Sequence, residues 1–339
     1  MKRILPLFLA LALLLTGCTA VSTTESTSQA VSQVDSSSQA SALESASESA
    51  SSQLESTSIT DSNGTQITLD TSAPRVVAAY GSFAEAWLLA GGELCGVTQD
   101  ALEQRDLGLP EDIAVVGTVK EPNAEEIIAL EPDLVLLASD ITAQAEIRDV
   151  LENAGLACAF FQVDTFADYA FMMEQLCAVT GREDLYEENV TQVGQQIEEA
   201  QANAALSSTR PNVLLIRAFS TGIKAKTDDE LAGAILKDLG AHNIADDHPS
   251  MLEDLSLEEV IAADPDYIFV TTMGDEQKAL DYLNGLIQQN PAWSELSAVK
   301  EDRYIVLPKD LFHYKPNNRW GESYQYLGEI LYPQLFHEE

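Results

Sequence analysis

Apolar runs and helical stretches alternate along most of this chain. "RVVAAYG" (75–81) reads as a buried strand, and "SFAEAWLLAGG" (82–92) as a helix stopped by Gly91 and Gly92. "ELCGVT" and "VVGT" (115–118) read as short strands, and "EPNAEEIIAL" as a helix with Asn123 at its N-cap. "DLVLLA" is apolar without alternation, the pattern of a parallel-sheet strand covered on both faces. The helix "TAQAEIRDVLENAGL", the strand "ACAFFQV" and the helix "FADYAFMMEQLCAVTG" complete this first set. A second set follows: the strand "NVLLIRAF" (212–219), the helix "DELAGAILKDLG", the strand "YIFVTT", the helix "DEQKALDYLNGLIQQ", the strand "RYIVLP" and the closing helix "NNRWGESYQYLGEIL". Such alternation predicts an α/β protein of two Rossmann-like lobes with mostly parallel sheets.

Between the sets, residues 182–206 carry apolar positions at 185, 190, 193, 197, 200 and 204, with no proline and only Gly194 weakening the pattern. A helix of that length would run about 37 Å, long enough to follow both lobes as a spine. One stretch is written twice. "NAEEIIALEPDLVLLA" (123–138) and "SLEEVIAADPDYIFVT" (256–271) share Glu-Glu, Ile-Ala and Pro-Asp at a constant offset. Two lobes that present the same surface to one partner would explain the copy.

The N-terminus changes the picture. Lys2 and Arg3 precede an apolar run from Ile4 to Leu15, too short to span a bilayer comfortably, which takes ~20 residues. Leu15-Thr16-Gly17-Cys18 resembles a bacterial lipobox, which implies a signal peptide over 1–17 and a lipidated Cys18 anchoring an exported protein to the cell membrane. An ordinary secretory signal is the alternative. Residues 18–58 continue as a Ser-rich segment that lacks Gly, Pro and aromatics beyond the cysteine, the composition of a disordered tether. The remaining boundaries are an N-terminal lobe over 59–181, a connecting helix over 182–207 and a C-terminal lobe over 208–339.

A formal charge of −37, from 18 basic and 55 acidic residues, sets nucleic-acid binding aside. Cys95, Cys158 and Cys177 are odd in number, lack CxxC spacing and sit among apolar neighbours, so buried free thiols are expected, with one disulfide as the alternative. A bare-metal receptor needs about three converging His or carboxylate ligands. Only four His exist, His337 lies in the tail, and "AHNIADDH", with His242 and His248, has no metal-ligand spacing. No metal site and no intrinsic cofactor are expected.

Together "PRVVAAYGSFAEAWLLAGG", "VVGTVKEPNAEEIIALEPDLVLLAS", "DDELAGAILKDLGAHNIADD", "SLEEVIAADPDYIFV" and "NNRWGESYQYLGEILYP" give the chain, over roughly residues 66–333, a resemblance to ABC-transporter solute-binding lipoproteins of the iron-siderophore, haem and cobalamin class. The resemblance implies two lobes joined by one long helix, with a ligand groove between them, and no catalysis. It implies a monomer that captures an iron(III) chelate and delivers it to a permease dimer with a cytoplasmic ATPase. It also implies that Glu125 and Glu258, one per lobe, dock on the permease, with Glu126 and Glu259 as weaker candidates. Acids near helix N-termini also complement the helix dipole without any partner.

Ligands of open α/β folds collect at the C-terminal ends of the strands. Those ends nominate Tyr80, Ser82, Lys120, Arg217, Lys224, Met273, His313, Tyr314, Lys315, Arg319 and Trp320 as ligand-binding residues. Arg217, Lys224, Lys226, Lys309, Lys315 and Arg319 would make the groove locally positive and suit an anionic chelate, unless they only neutralise nearby acids. Tyr80, Tyr314 and Trp320 are candidates to pack on a flat ligand, and His313 and Met273 to ligate haem iron, while Trp87 and Trp293 are assigned to packing. Haem or cobalamin are alternative ligands. From other classes, an exported α/β hydrolase lacks GxSxG, GxxxxGK[ST] and HExxH here, and an adhesion module has only the Ser-rich stalk in its favour.

Overall fold

A computed structural model describes residues 56–253 and 255–336. The signal segment 1–17, the lipidation at Cys18, nearly all of the tether and His337 lie outside the described residues. The tether boundary at 58 needs correction. Strand β1 (Thr57–Thr60) already pairs antiparallel with β2 (Gln66–Leu69), because Ile59 is fully buried against the first sheet's core.

The first sheet is built from β3 (Val76–Ala78), β4 (Leu94–Val97) and β5 (Ala114–Val115). The hairpin β6 (Gly117–Thr118) and β7 (Glu121–Pro122) comes next, before β8 (Leu134–Ala138) and β9 (Ala157–Phe161) complete the sheet. Its order is β5-β4-β3-β8-β9, all parallel. "VVGT" is therefore not one strand: Gly117, at φ +98, turns the chain out of the sheet into the hairpin. In β8, Leu134, Leu136 and Ala138 face one core while Val135 and Leu137 face another, so both faces are covered.

The second sheet contains β10 (Asn212–Phe219), β11 (Gly222–Lys226), β12 (His242–Asn243), β13 (Tyr267–Thr272) and β14 (Tyr304–Val306). Its path is β11-β10-β13-β14, with β12 pairing beside the start of β10. All pairs are parallel except the β10–β11 edge hairpin. The fold is α/β, and each half carries a mostly parallel five-stranded sheet.

The connecting segment is helical throughout but not one uniform α-helix. Glu183–Tyr186 and Gln192–Ala205 are α-helical, and Glu187–Thr191 between them forms a π-helical turn. The wider turn brings Asn189 inward, where its amide donates to the carbonyls of Leu89 (3.2 Å) and Leu185 (3.0 Å). Val190, Val193, Ile197, Ala200 and Ala204 are buried, and one core runs from Phe83 and Tyr169 of the first half through this spine to Leu215 and Phe269 of the second. Gly194 lets Phe166 pack close, since a Cβ there would come within 3.3 Å of its ring.

The repeat has a structural component of its own. Asp133 and Asp266, the aspartates of its two Pro-Asp pairs, clip the starts of β3 and β10 in the same way. Asp133 accepts from the Arg75 N–H at 2.8 Å and donates its own N–H to the Arg75 carbonyl at 2.9 Å. Asp266 makes the same exchange with Asn212, both bonds at 2.8 Å. Glu131 and Asp264, the residues before the two prolines, both adopt left-handed backbone (φ 47 and 41).

Trp87 and Trp293 are buried packing residues, as their positions predict. Cys95, Cys158 and Cys177 are free thiols, and burial pushes Cys177 up to about 11 and Cys158 up to about 12.

Candidate functional site: a cavity between the two sheets

A cavity of about 490 Å³ opens between the halves near the C-terminal ends of the strands. Val163, Asp164 and Thr165, just past β9, line it from the first half. Arg217 near the end of β10, Asp228 to Leu231 after β11, and Phe312, His313 and Lys315 line it from the second. A larger depression of about 670 Å³ lies elsewhere, between the Gln192–Ala205 and Trp320–Leu331 helices. It is lined by Gln196, Glu199, Glu322 and Gln325 and lies away from the strand ends, so the smaller cavity is the candidate site.

At the strand ends of the first half, outside the cavity lining, Gln144 is fully buried. It accepts from the Ala138 N–H (2.7 Å) and donates to the carbonyls of Ala79 (2.7 Å) and Val119 (3.1 Å), closing off adjacent strand ends. Tyr80, just past β3, is half-buried and does not line the cavity. Burial first, and Asp100 second, push its phenol up to about 12, so it remains a neutral donor.

Across the cavity the segment 313–318 returns from the second half and is clasped to the first. Asn317, in left-handed backbone at φ 52, donates to the Ser82 carbonyl (2.9 Å) and to Glu85 Oε2 (2.7 Å). Arg105 pairs with Glu85 and donates to the carbonyls of Tyr314 and Lys315, the latter at 3.1 Å. Lys315 donates to the Val163 carbonyl and sits 3.3 Å from Asp164 Oδ1. No sequence signal pointed to Arg105, Glu85 or Asn317. Each meets its partners through contacts distant along the chain.

The expected positive lining is largely cancelled. Arg217 is ion-paired with Glu230, Lys226 with Asp229 (2.7 Å) and Glu230 (3.1 Å), and Lys315 with Asp164. Arg319 is held by Asp310 and Glu322, both at 2.8 Å, and the bonds to Glu322 chiefly raise its already high pKa. Of the six cations, Lys224 and Lys309 alone have no carboxylate within ion-pair distance among the described residues. Lys309 donates to the Gly274 carbonyl at 2.6 Å. His313 lies beside Arg217 and Lys309, and burial first, then those charges, push its imidazole down to about 4. It is neutral at physiological pH.

The other nominated positions divide. Lys120 is exposed on the β6–β7 turn, and Lys224 is exposed on the edge strand opposite Arg217. Met273 is 37% exposed just after β13, and Tyr314 packs against His313 at 5.2 Å. Two positions need correction. Ser82 is fully buried in the first turn of the Gly81–Leu89 helix, where its hydroxyl faces Asn317 (3.4 Å). Trp320 is 2% exposed and packs edge-on against Phe166, because the turn before the last helix directs it into the core. Neither side chain is open to a ligand.

Glu125 and Glu258 are both exposed in the first turns of the Ala124–Ala129 and Leu257–Ala263 helices. Asn123 caps the first helix, accepting from the N–H groups of Glu125 (3.0 Å) and Glu126 (3.2 Å). Ser256 caps the second, accepting from the Glu259 N–H at 3.3 Å. Among the described residues neither Glu125 nor Glu258 has an ion-pair partner, whereas Glu259 accepts from the Ser250 hydroxyl.

Two sheets flanking a spine, with the cavity between them, match a known pattern. The family model described as "Periplasmic binding protein" matches residues 76–311, more than half of the chain. The chain belongs to the periplasmic binding protein family. The Fe(3+)-citrate-binding protein YfmC of Bacillus subtilis is 26% identical over 266 residues, covering 76% of this chain and 79% of that one. The high-affinity heme uptake system protein IsdE of Staphylococcus aureus is 22% identical over 224 residues, covering 65% and 75%. The crystal structure of the petrobactin-binding protein YclQ from Bacillus subtilis shares the fold with a TM-score of 0.64 at 20% identity, over 84% of this chain and all of that one. Among the described residues no helix is long and apolar enough to cross a membrane.

Proposed function

We propose that this periplasmic binding protein is the extracytoplasmic receptor of an ABC importer, capturing an iron(III)-siderophore-type chelate and passing it to a permease dimer driven by a cytoplasmic ATPase. The observation that carries the reading is the cavity at the strand ends, where Arg217, Lys315 and the neutral His313 meet from one half and Asp164 from the other. A chelate presents oxygen arms around a shielded metal, and guanidinium and ammonium donors are suited to such arms. YfmC and YclQ bear names that refer to binding ferric citrate and petrobactin, which supports the class of ligand. A haem receptor is a second reading, favoured by the unprotonated His313 in the cavity and by the likeness to IsdE.

The role is binding without chemistry. Glu125 and Glu258 would dock the loaded protein on the permease, one carboxylate per half against a two-fold receptor. Lipidated Cys18 would hold the protein at the membrane.

Two experiments test this. A thermal-shift screen against ferric citrate, ferric catecholates, ferric hydroxamates and haem should find one class that raises Tm. Saturation at 100 times Kd adds about 2.7 kcal/mol, which at ~2–4 °C per kcal/mol amounts to roughly 5–10 °C. No shift with any of them would discard the iron reading. Replacing both glutamates (Glu125→Lys with Glu258→Lys) should abolish uptake while leaving the shift intact. Normal uptake by that double variant would remove the docking role.

A further inference from the structure

Glu230 stands where a helix-capping residue is expected but does not cap. It precedes the Leu231–Asp238 helix with extended backbone (φ −120, ψ 146), and its side chain makes no bond to the first helical N–H groups. Its carboxylate is shared instead between the guanidinium of Arg217 and the ammonium of Lys226, the latter 3.1 Å away. Arg217 and Glu230 are 17% and 14% exposed at the side chain, and both line the cavity. Arg217 is also one bond short: its Nε is buried and has no partner.

We propose that Glu230 is a built-in competitor for the ligand, holding Arg217 when the cavity is empty and releasing it to an oxyanion arm of the chelate while keeping Lys226. This rests on the receptor reading above and concerns how the same cavity selects its cargo.

The charge arithmetic favours exchange over simple addition. A carboxylate or similar oxyanion can meet Arg217 through two parallel donors and satisfy the unpartnered Nε–H. Leaving Glu230 alone in a partly desolvated place would be costly, since an uncompensated charge there is strongly unfavourable. Lys226 removes that cost. It already touches Glu230, and it is itself held by Asp229 at 2.7 Å. Both ion pairs therefore exist before and after the exchange, with one partner traded. Asp228 and Asp229 share the same wall, so the cavity favours one oxyanion arm at Arg217 and opposes ligands that bring several charges to it.

The test is a binding cycle on the whole protein. Ferric citrate and iron-free citrate are titrated into the wild type, Glu230→Gln, Arg217→Gln and the Arg217→Gln/Glu230→Gln double variant, with Tm measured for each. Removing the competing charge should tighten both citrate probes about tenfold in Glu230→Gln. In the Arg217→Gln background the same change should have no such effect. A cationic ferric hydroxamate should bind Glu230→Gln no more tightly than the wild type. Equal or weaker citrate binding by Glu230→Gln would overturn the proposal, as would a gain that persists without Arg217. Failure of the receptor reading looks different: the wild type would bind none of the ferric chelates, while iron-free citrate would still report whether Glu230 competes for Arg217. If Glu230→Gln unfolds, Glu230→Asp serves. Its shorter side chain should loosen the hold on Arg217 and tighten citrate to a smaller degree, and unchanged affinity would overturn the proposal.

Discussion

Replacing Arg105 with Met should loosen the clasp between the two halves. Arg105 is 10% exposed at the side chain and Glu85 is 22% exposed. The guanidinium answers the Glu85 carboxylate and two backbone carbonyls of the 313–318 segment. Without it Glu85 keeps one donor, the Asn317 amide at 2.7 Å, and the carbonyls of Tyr314 and Lys315 lose theirs. Breaking a fully buried pair from one side costs about 3–5 kcal/mol. The partial exposure of Glu85 lets water repay some of that, which leaves about 2–4 kcal/mol. At ~2–4 °C per kcal/mol, Arg105→Met should lower Tm by roughly 5–15 °C. The decisive assay adds Glu85→Gln to Arg105→Met and measures urea unfolding of wild type, both single variants and the double. If the cost is mainly an orphaned carboxylate, neutralising Glu85 should restore 1 kcal/mol or more, on the order of an unsatisfied charged group. A loss under about 1 kcal/mol, or no recovery in the double variant, would refute the reasoning.

Two further outcomes follow from the same region. The folded-state pKa of His313, about 4, lies below the usual 6.5, so its contribution to stability is complete above about pH 6.5 and is lost as pH falls toward 4. Each unit is worth about 1.4 kcal/mol, so His313→Gln should flatten the stability difference between pH 7 and pH 4.5 by about 2 kcal/mol. An unchanged slope in urea titrations at the two pH values would show that the imidazole is not the titrating group. Gly233→Ala would drive a Cβ into the Thr227 carbonyl oxygen, a backbone atom of the loop that carries Asp228 to Glu230. The strain should cost about 1–3 kcal/mol and weaken chelate binding together with Tm. A variant with wild-type Tm and affinity would show that the loop yields freely.

How much of this was readable beforehand depended on whether the cause was local. The strand runs, the helix stops at Gly91 and Gly92 and the cap at Asn123 arise from neighbours within a few residues, and the two-sheet fold followed from them. The π turn at Glu187–Thr191 did not, because a buried Asn189 looks polar in any helical window and its partner Leu89 is distant in sequence. Of the six nominated cations Arg217 and Lys315 line the cavity, and their pairing was not legible. Glu230 and Asp164 cancel Arg217 and Lys315, and only folding brings Asp164 and Lys315 together. Trp320 and Ser82 failed for the complementary reason: both sit at loop–helix junctions, yet Trp320 is turned into the core and Ser82 is covered by Asn317 from a segment distant along the chain.

The repeated segment separates these two kinds of cause within one stretch of chain. Its Pro-Asp pair is accounted for by the fold, since Asp133 and Asp266 each pin the start of a lobe's first central strand by the same two bonds. Its Asn and Ser caps are accounted for by helix initiation. The second glutamate of the later copy, Glu259, has a bond to Ser250. That leaves Glu126 in the first copy, and Glu125 and Glu258 as a matched pair. Both are exposed, neither has an ion pair among the described residues, and each occupies the same place in its copy. The helix dipole favours an acid in a first turn by only ~0.3–1 kcal/mol and is equally served by the acid that follows. A structural account therefore covers the caps, the Pro-Asp pairs and Glu259, and the matched pair Glu125 and Glu258 is where the docking proposal meets its test in the Glu125→Lys/Glu258→Lys double variant.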